Sequence, residues 1–110
     1  MYARVWKLGI LPGNVQEFTA SVNSVRPLLR KQPGFCGLLV LRTGSGEALD
    51  ATVISIWASI DALRDSEAEV LTHTIGDFQA HCEPHPLMRE EEVVVTEFPA
   101  KDLDDTVTSF

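Results

Sequence analysis

Cysteine is nearly absent from this chain: two residues in 110, Cys36 and Cys82. Two thiols build no disulfide framework, and both read as reduced, mostly buried side chains of a cytoplasmic protein. Positive charge is also scarce. Nine Lys and Arg stand against sixteen Asp and Glu, a formal net charge of −7. A nucleic-acid binder needs a basic stripe to displace counterions, and none is visible. An anionic membrane surface is disfavoured for the same reason. No apolar run approaches the roughly 18 residues of a membrane span. The segment Met1 to Lys7 lacks the long apolar stretch of a signal peptide. Aromatic residues make up 7% of the chain, so the two tryptophans, Trp6 and Trp57, are the scarce large flat surfaces it has to offer.

What remains is an ordinary globular composition, 45% hydrophobic and 23% charged, of a length that suits one domain. So small a core is only marginally stable alone, and burial in a dimer would add to it. Tyr2 to Ile10 predicts a strand, with Tyr2, Arg4, Trp6 and Leu8 on one face and Ala3, Val5 and Lys7 on the other. Pro12-Gly13 marks a turn. Asn14 and Glu17 have the spacing of a capping box. Val15, Phe18, Val22, Val25 and Leu29 then follow helical spacing, with a kink or an early end expected at Pro27. Phe35 to Thr43 is a nearly continuous apolar run, which predicts a strand buried on both faces. Gly44-Ser45-Gly46 reads as a hairpin tip lengthened by Glu47 to Asp50. With no helix or Lys-Ser/Thr after it, it is not a phosphate loop.

A third strand, Ala51 to Trp57, runs straight into a helix start, where Ser59 is a good N-cap. That helix is expected from Ile60 to about Ala80, with Ile60, Leu63, Val70, Leu71, Ile75 and Phe78 as its apolar stripe. Pro84 and Pro86 end it. A last strand is expected from Glu92 to Phe98, with Glu90-Glu91-Glu92 as a solvated run leading into it. The order strand, helix, strand, strand, helix, strand is two split βαβ units, a ferredoxin-like α+β arrangement. It predicts a four-stranded antiparallel sheet with two helices on one face. Val5, Leu39, Leu41, Ile54, Ile56 and Val94 then need cover on the other, and a homodimer packing two sheets into one α+β barrel supplies it. The domain is taken as residues 1–99, and residues 100–110 as an acidic tail, either disordered or an arm on a partner.

Several side chains are candidates for chemistry. Trp57, where the sheet hands over to a helix, suits stacking on a planar ligand, and equally a core position under the helix. Trp6 and Arg4 share a strand face. If that face looks toward the helices they form a pocket wall and a cation able to hold a phenolate or carboxylate; otherwise Arg4 is an edge residue in water. His73 is either a general base or a solvated helix residue. His81, Cys82, Glu83 and His85 crowd a helix end, but the prolines splay the chain there, and no metal site is expected. Asp61, Asp65, Glu67 and Glu69 read as a polar helix face.

Three motifs in order carry a resemblance: Leu11-Pro12-Gly13 before the first helix, Gln32-Pro33-Gly34-Phe35 before the second strand, and Ile56-Trp57-Ala58-Ser59-Ile60-Asp61-Ala62-Leu63, with His73 and Phe78 late in the second helix. In these the chain resembles the antibiotic-biosynthesis monooxygenase family, small dimeric α+β barrel proteins, over roughly residues 1–99. The resemblance implies oxidation of an aromatic quinol or polycyclic phenol by molecular oxygen, without metal, flavin or other cofactor. The substrate's own carbanion supplies the electron. On that expectation Trp57 and Trp6 clamp the ring with Phe78 beside it, His73 takes a proton, and Arg4 stabilises the resulting oxyanion. Haem-degrading relatives carry an Asn where this chain has Trp6 and a second Trp where it has Ser66. Polyketide-oxidising members can carry an Asn where it has Val53. The alternatives are a non-catalytic dimeric module that binds an aromatic metabolite, and a lactone isomerase on the same fold.

Overall fold

The computed structural model describes residues 1–45, 48–83 and 87–98; the side chains at 45, 48, 73–77 and 79 are outside that description. The elements are β1 (Tyr2–Ile10), α1 (Val15–Arg30), β2 (Phe35–Ser45), β3 (Ala48–Trp57), α2 (Ile60–Asp65), α3 (Glu67–His81) and β4 (Leu87–Glu92). The strands form one antiparallel sheet in the order β2-β3-β1-β4, the ferredoxin-like α+β topology expected. Arg4 pairs with Ser55, Trp6 with Val53 and Leu8 with Ala51, so these side chains share a face. The helices cover that face. Trp6, Leu8 and Ile10 pack with Phe18 and Val22 of α1 and Phe78 of α3. Trp57 packs with Val25, Leu29, Leu63 and Val70 in a second cluster.

The local signals held where a side chain had a geometric job. Ser59 caps α2, its hydroxyl accepting from the Ala62 N–H at 3.1 Å. Gly34 has φ of +80°, and a β-carbon there would meet the Ala62 methyl at 2.6 Å, so the turn before β2 can lie against α2 only as glycine. Elsewhere the structure differs from the expectation. Asn14 makes no side-chain cap; its amide donates instead to the Pro12 carbonyl, at 3.4 Å. Helix α1 runs through Pro27 to Arg30. Pro27 and Asn23 are both exposed, so the carbonyl that the proline leaves unpaired faces water. The long second helix is two, broken at Ser66, whose buried hydroxyl donates to the Leu63 carbonyl at 2.6 Å.

The β2–β3 ladder continues to Ser45 and Ala48, so the hairpin tip is shorter than expected; residues 46 and 47 lie outside the described ones. The largest correction concerns the last strand. β4 is Leu87–Glu92, and Val93 to Phe98 follow it without joining the sheet. Tyr2, where β1 begins, pairs with Glu92, and the Met1 carbonyl accepts from the Val93 N–H at 2.9 Å. Valine-rich sequence favours a strand, but a ladder needs a partner, and the ladder with β1 ends at the Tyr2–Glu92 pair. The Glu90-Glu91-Glu92 run therefore sits inside β4, still exposed. The acidic tail from residue 100 lies outside the described residues.

On the face away from the helices, Leu39, Leu41 and Leu87 are exposed, beside half-buried Val5 and Ile54. Within one chain β2 is thus covered on one face only, not on both. No described helix is long and apolar enough to cross a membrane.

Candidate functional site

Between the two core clusters lies a cleft of about 480 Å³, its open mouth included. β1 lends it Arg4 and Trp6, and β3 lends Val53, Ser55 and Trp57. Most of the remaining wall is aliphatic, with Phe78 of α3 closing one side. Four of the five expected site residues thus meet in one cavity: strand alternation turns Arg4, Trp6 and Trp57 to the helix side, and Phe78 lines it from α3. The fifth, His73, lies on the backbone of α3, and its side chain is outside the described ones.

Arg4 is not the edge residue in water that its charge allowed. It is 5% exposed, and its Nη2 donates to Glu67 Oε1 at 2.5 Å. Burial pulls its pKa below the ordinary guanidinium value, while Glu67 and Glu90 pull it back up. An arginine stays charged under such shifts, so the cleft holds a fixed positive charge in an apolar wall. Glu67, expected as part of a polar helix face, is at 43% side-chain exposure the water-facing half of the pair. The helix break explains the meeting: ending α2 at Asp65 and restarting at Glu67 sets that carboxylate at the first turn of α3, beside Arg4.

Trp57 is 1% exposed; its indole N–H donates to Ser55 Oγ at 2.9 Å, and its ring meets Phe35 edge-on at 5.4 Å. Trp6 meets Phe78 edge-on, with ring centroids 5.0 Å apart. Ser55 and Glu67 were missed in the sequence reading. The signal for Ser55 was present: a polar residue alternating with Val53 and Trp57 on what proves a buried face. Glu67 had none, because its partner is 63 positions away.

The helix-end group expected to hold no metal is only partly described: His85 lies outside the described residues, and Cys82 is buried, bridged through its backbone to Ile10. Among the described residues no three His, Cys, Asp or Glu side chains are grouped to hold a metal ion. Burial pushes the Cys82 thiol up to about 11 from its ordinary 9.0. Contrary to the expectation for both thiols, Cys36 is exposed, because a bulge between Phe35 and Gly37 sets it outside the β2 register. A thiol reagent at neutral pH should therefore modify Cys36 and reach Cys82 only on unfolding. The folded state holds the Cys82 proton above the pH at which the unfolded chain loses it. Melting temperature should therefore fall as pH rises from 9 toward 11, and Cys82→Ala should flatten that fall.

A family model described as antibiotic biosynthesis monooxygenase matches residues 1–83. Among curated proteins none matches significantly. Solved structures do. SnoaB, a cofactor-independent oxygenase from Streptomyces nogalater, superposes with a TM-score of 0.71 at 19% identity, over 90% of this chain and 97% of that one. A monooxygenase-family protein from Bordetella bronchiseptica gives 0.69 at 19% identity, over 86% and 97%. One from Caulobacter crescentus gives 0.72 at 18% identity, over 86% and 90%. At such identities the likeness extends to the fold.

Proposed function

Because the chain belongs to the antibiotic biosynthesis monooxygenase family, we propose that it is a cofactor-independent oxygenase of an aromatic small molecule, a quinol or polycyclic phenol. The observation that carries this reading is Arg4, a buried guanidinium on the wall of an otherwise apolar cleft that also holds both tryptophans. A planar ring is held by Trp6 and Trp57, with Phe78 at its edge. Arg4 stabilises the oxyanion that forms when the ring system loses a proton. His73 is the proposed base for that proton. For an anthrone-type substrate the chemistry then balances without an external reductant. The carbanion passes one electron to molecular oxygen, the two radicals join as a peroxide, and loss of water leaves a ketone. One oxygen atom ends in the product and one in water.

One observation favours a second reading, a ring-binding module without turnover: no described side chain lining the cleft is a base. Oxygen consumption by metal-stripped protein, given a panel of quinols and anthrone-type phenols, separates the two. Uptake that depends on the protein and falls in Trp57→Phe supports the oxygenase. No uptake, with a ring ligand still quenching tryptophan fluorescence, supports the module. Neither response removes both.

We also propose that the working unit is a homodimer. Leu39, Leu41 and Leu87 leave an apolar sheet face uncovered, and Val94, Val95 and Phe98 extend past the end of β1. A second copy of this chain covers the face by the same patch on each side. Light scattering should give twice the chain mass of 12.1 kDa; a monomer across the concentration range would defeat this.

A further inference from the structure

Among the described residues, Trp6 Nε1 is a buried side-chain nitrogen with no hydrogen-bond partner. The residue is 5% exposed and lines the cleft. An indole N–H can only donate, and a buried donor without an acceptor is a standing cost to the fold. The other tryptophan shows how this fold settles such a group, since Trp57 gives its N–H to Ser55. Among the described residues nothing equivalent serves Trp6: of its two ladder neighbours, Val53 carries no acceptor and Met88 only a thioether, a weak one.

The polar atoms of the cleft share one character. Arg4 spends one N–H on Glu67 and has others to give. Ser55 accepts from Trp57, leaving its own hydroxyl proton free for donation. Trp6 adds an unspent donor two residues along the same face of β1, roughly 7 Å from Arg4 along the strand. The described wall thus presents donors, one charged and the rest neutral. The matching ligand is an acceptor at two points. Its ionised oxygen goes to the guanidinium, where a charge-assisted bond is strongest. Its uncharged oxygen goes to the indole.

Resting on the proposed aromatic-ligand reading of this cleft, we infer that Trp6 Nε1 donates a hydrogen bond to a carbonyl oxygen of the bound ring, making Trp6 the residue that selects hydroxyquinones and hydroxyketones over plain phenols and aromatic acids. Its role is then more than a flat wall. A ligand carbonyl also removes the unsatisfied donor, so part of the affinity comes from relieving the free protein.

The test uses two anionic bicyclic probes: lawsone, a hydroxynaphthoquinone, and naphthoate, which has no ring carbonyl. Two tryptophans give two indole N–H signals in an NMR spectrum, assigned with Trp6→Phe. Lawsone is expected to shift the Trp6 signal downfield and slow its hydrogen exchange. Naphthoate is expected to bind without slowing that exchange. Replacing Trp6 by benzothienylalanine, which keeps the ring and removes the N–H, should weaken lawsone about tenfold and leave naphthoate unchanged, by calorimetry. The same replacement should leave the melting temperature of the free protein unchanged or raised, because it deletes an unpaired donor; a structural hydrogen bond would show a fall. Equal loss of both probes, or lawsone bound with the Trp6 exchange unchanged, overturns the inference while the ring-binding reading stands. If neither probe moves either indole signal, the aromatic-ligand reading falls and this inference with it.

Discussion

Arg4→Met should lower turnover of an anthrone-type substrate by roughly 100- to 1,000-fold, the range for losing one preorganised donor to a developing oxyanion. It should do so with little change in stability. The partner it abandons, Glu67, is 43% exposed and hydrates readily, and methionine fills most of the volume with apolar atoms. The reverse substitution should behave differently. Glu67→Ala leaves the Arg4 charge in the core, with Glu90 as its remaining electrostatic partner. A loss of about 1–2 kcal/mol is expected, less than for a fully buried pair because water already reaches Glu67. Urea titration of both variants beside oxygen uptake checks the asymmetry. If Arg4→Met were the more destabilising and turned over normally, Arg4 would be a structural cation and not an oxyanion partner.

Trp57→Ala should remove about 3–5 kcal/mol of folding free energy, as for other buried tryptophans. For a small domain holding roughly 5–15 kcal/mol in all, that is a large share. The ring touches both the α1 and the α2–α3 sides of the second core cluster, so no single element can move in to fill the space. Trp57→Phe should cost far less, mainly the hydrogen bond to Ser55, worth about 1 kcal/mol. It is therefore the variant for functional assays. Thermal melts separate the two, and a loss below about 1 kcal/mol for Trp57→Ala would contradict a tightly packed ring at this position.

Which readings were reachable from sequence follows from the range of the forces involved. Strand alternation is local, so the face shared by Arg4, Trp6 and Leu8 was legible at once. So was the Ser59 cap, which needs only the next helical turn. The alternating faces of β1 and β3 and the apolar stripe of α1 were legible as patterns. Which side of the sheet the helices cover required the fold, and with it whether Arg4 lies in water or in a cleft wall.

By itself, then, the sequence determined the order of elements, the ferredoxin-like α+β class, the family signature and most of the aromatic lining of the cleft. Tertiary structure alone decided the Arg4–Glu67 pair, the unpaired Trp6 N–H and the end of β4 at Glu92. Each depends on what lies opposite in space. A partner 63 positions away leaves no local trace, and a run of valines cannot report that the ladder with β1 has already ended.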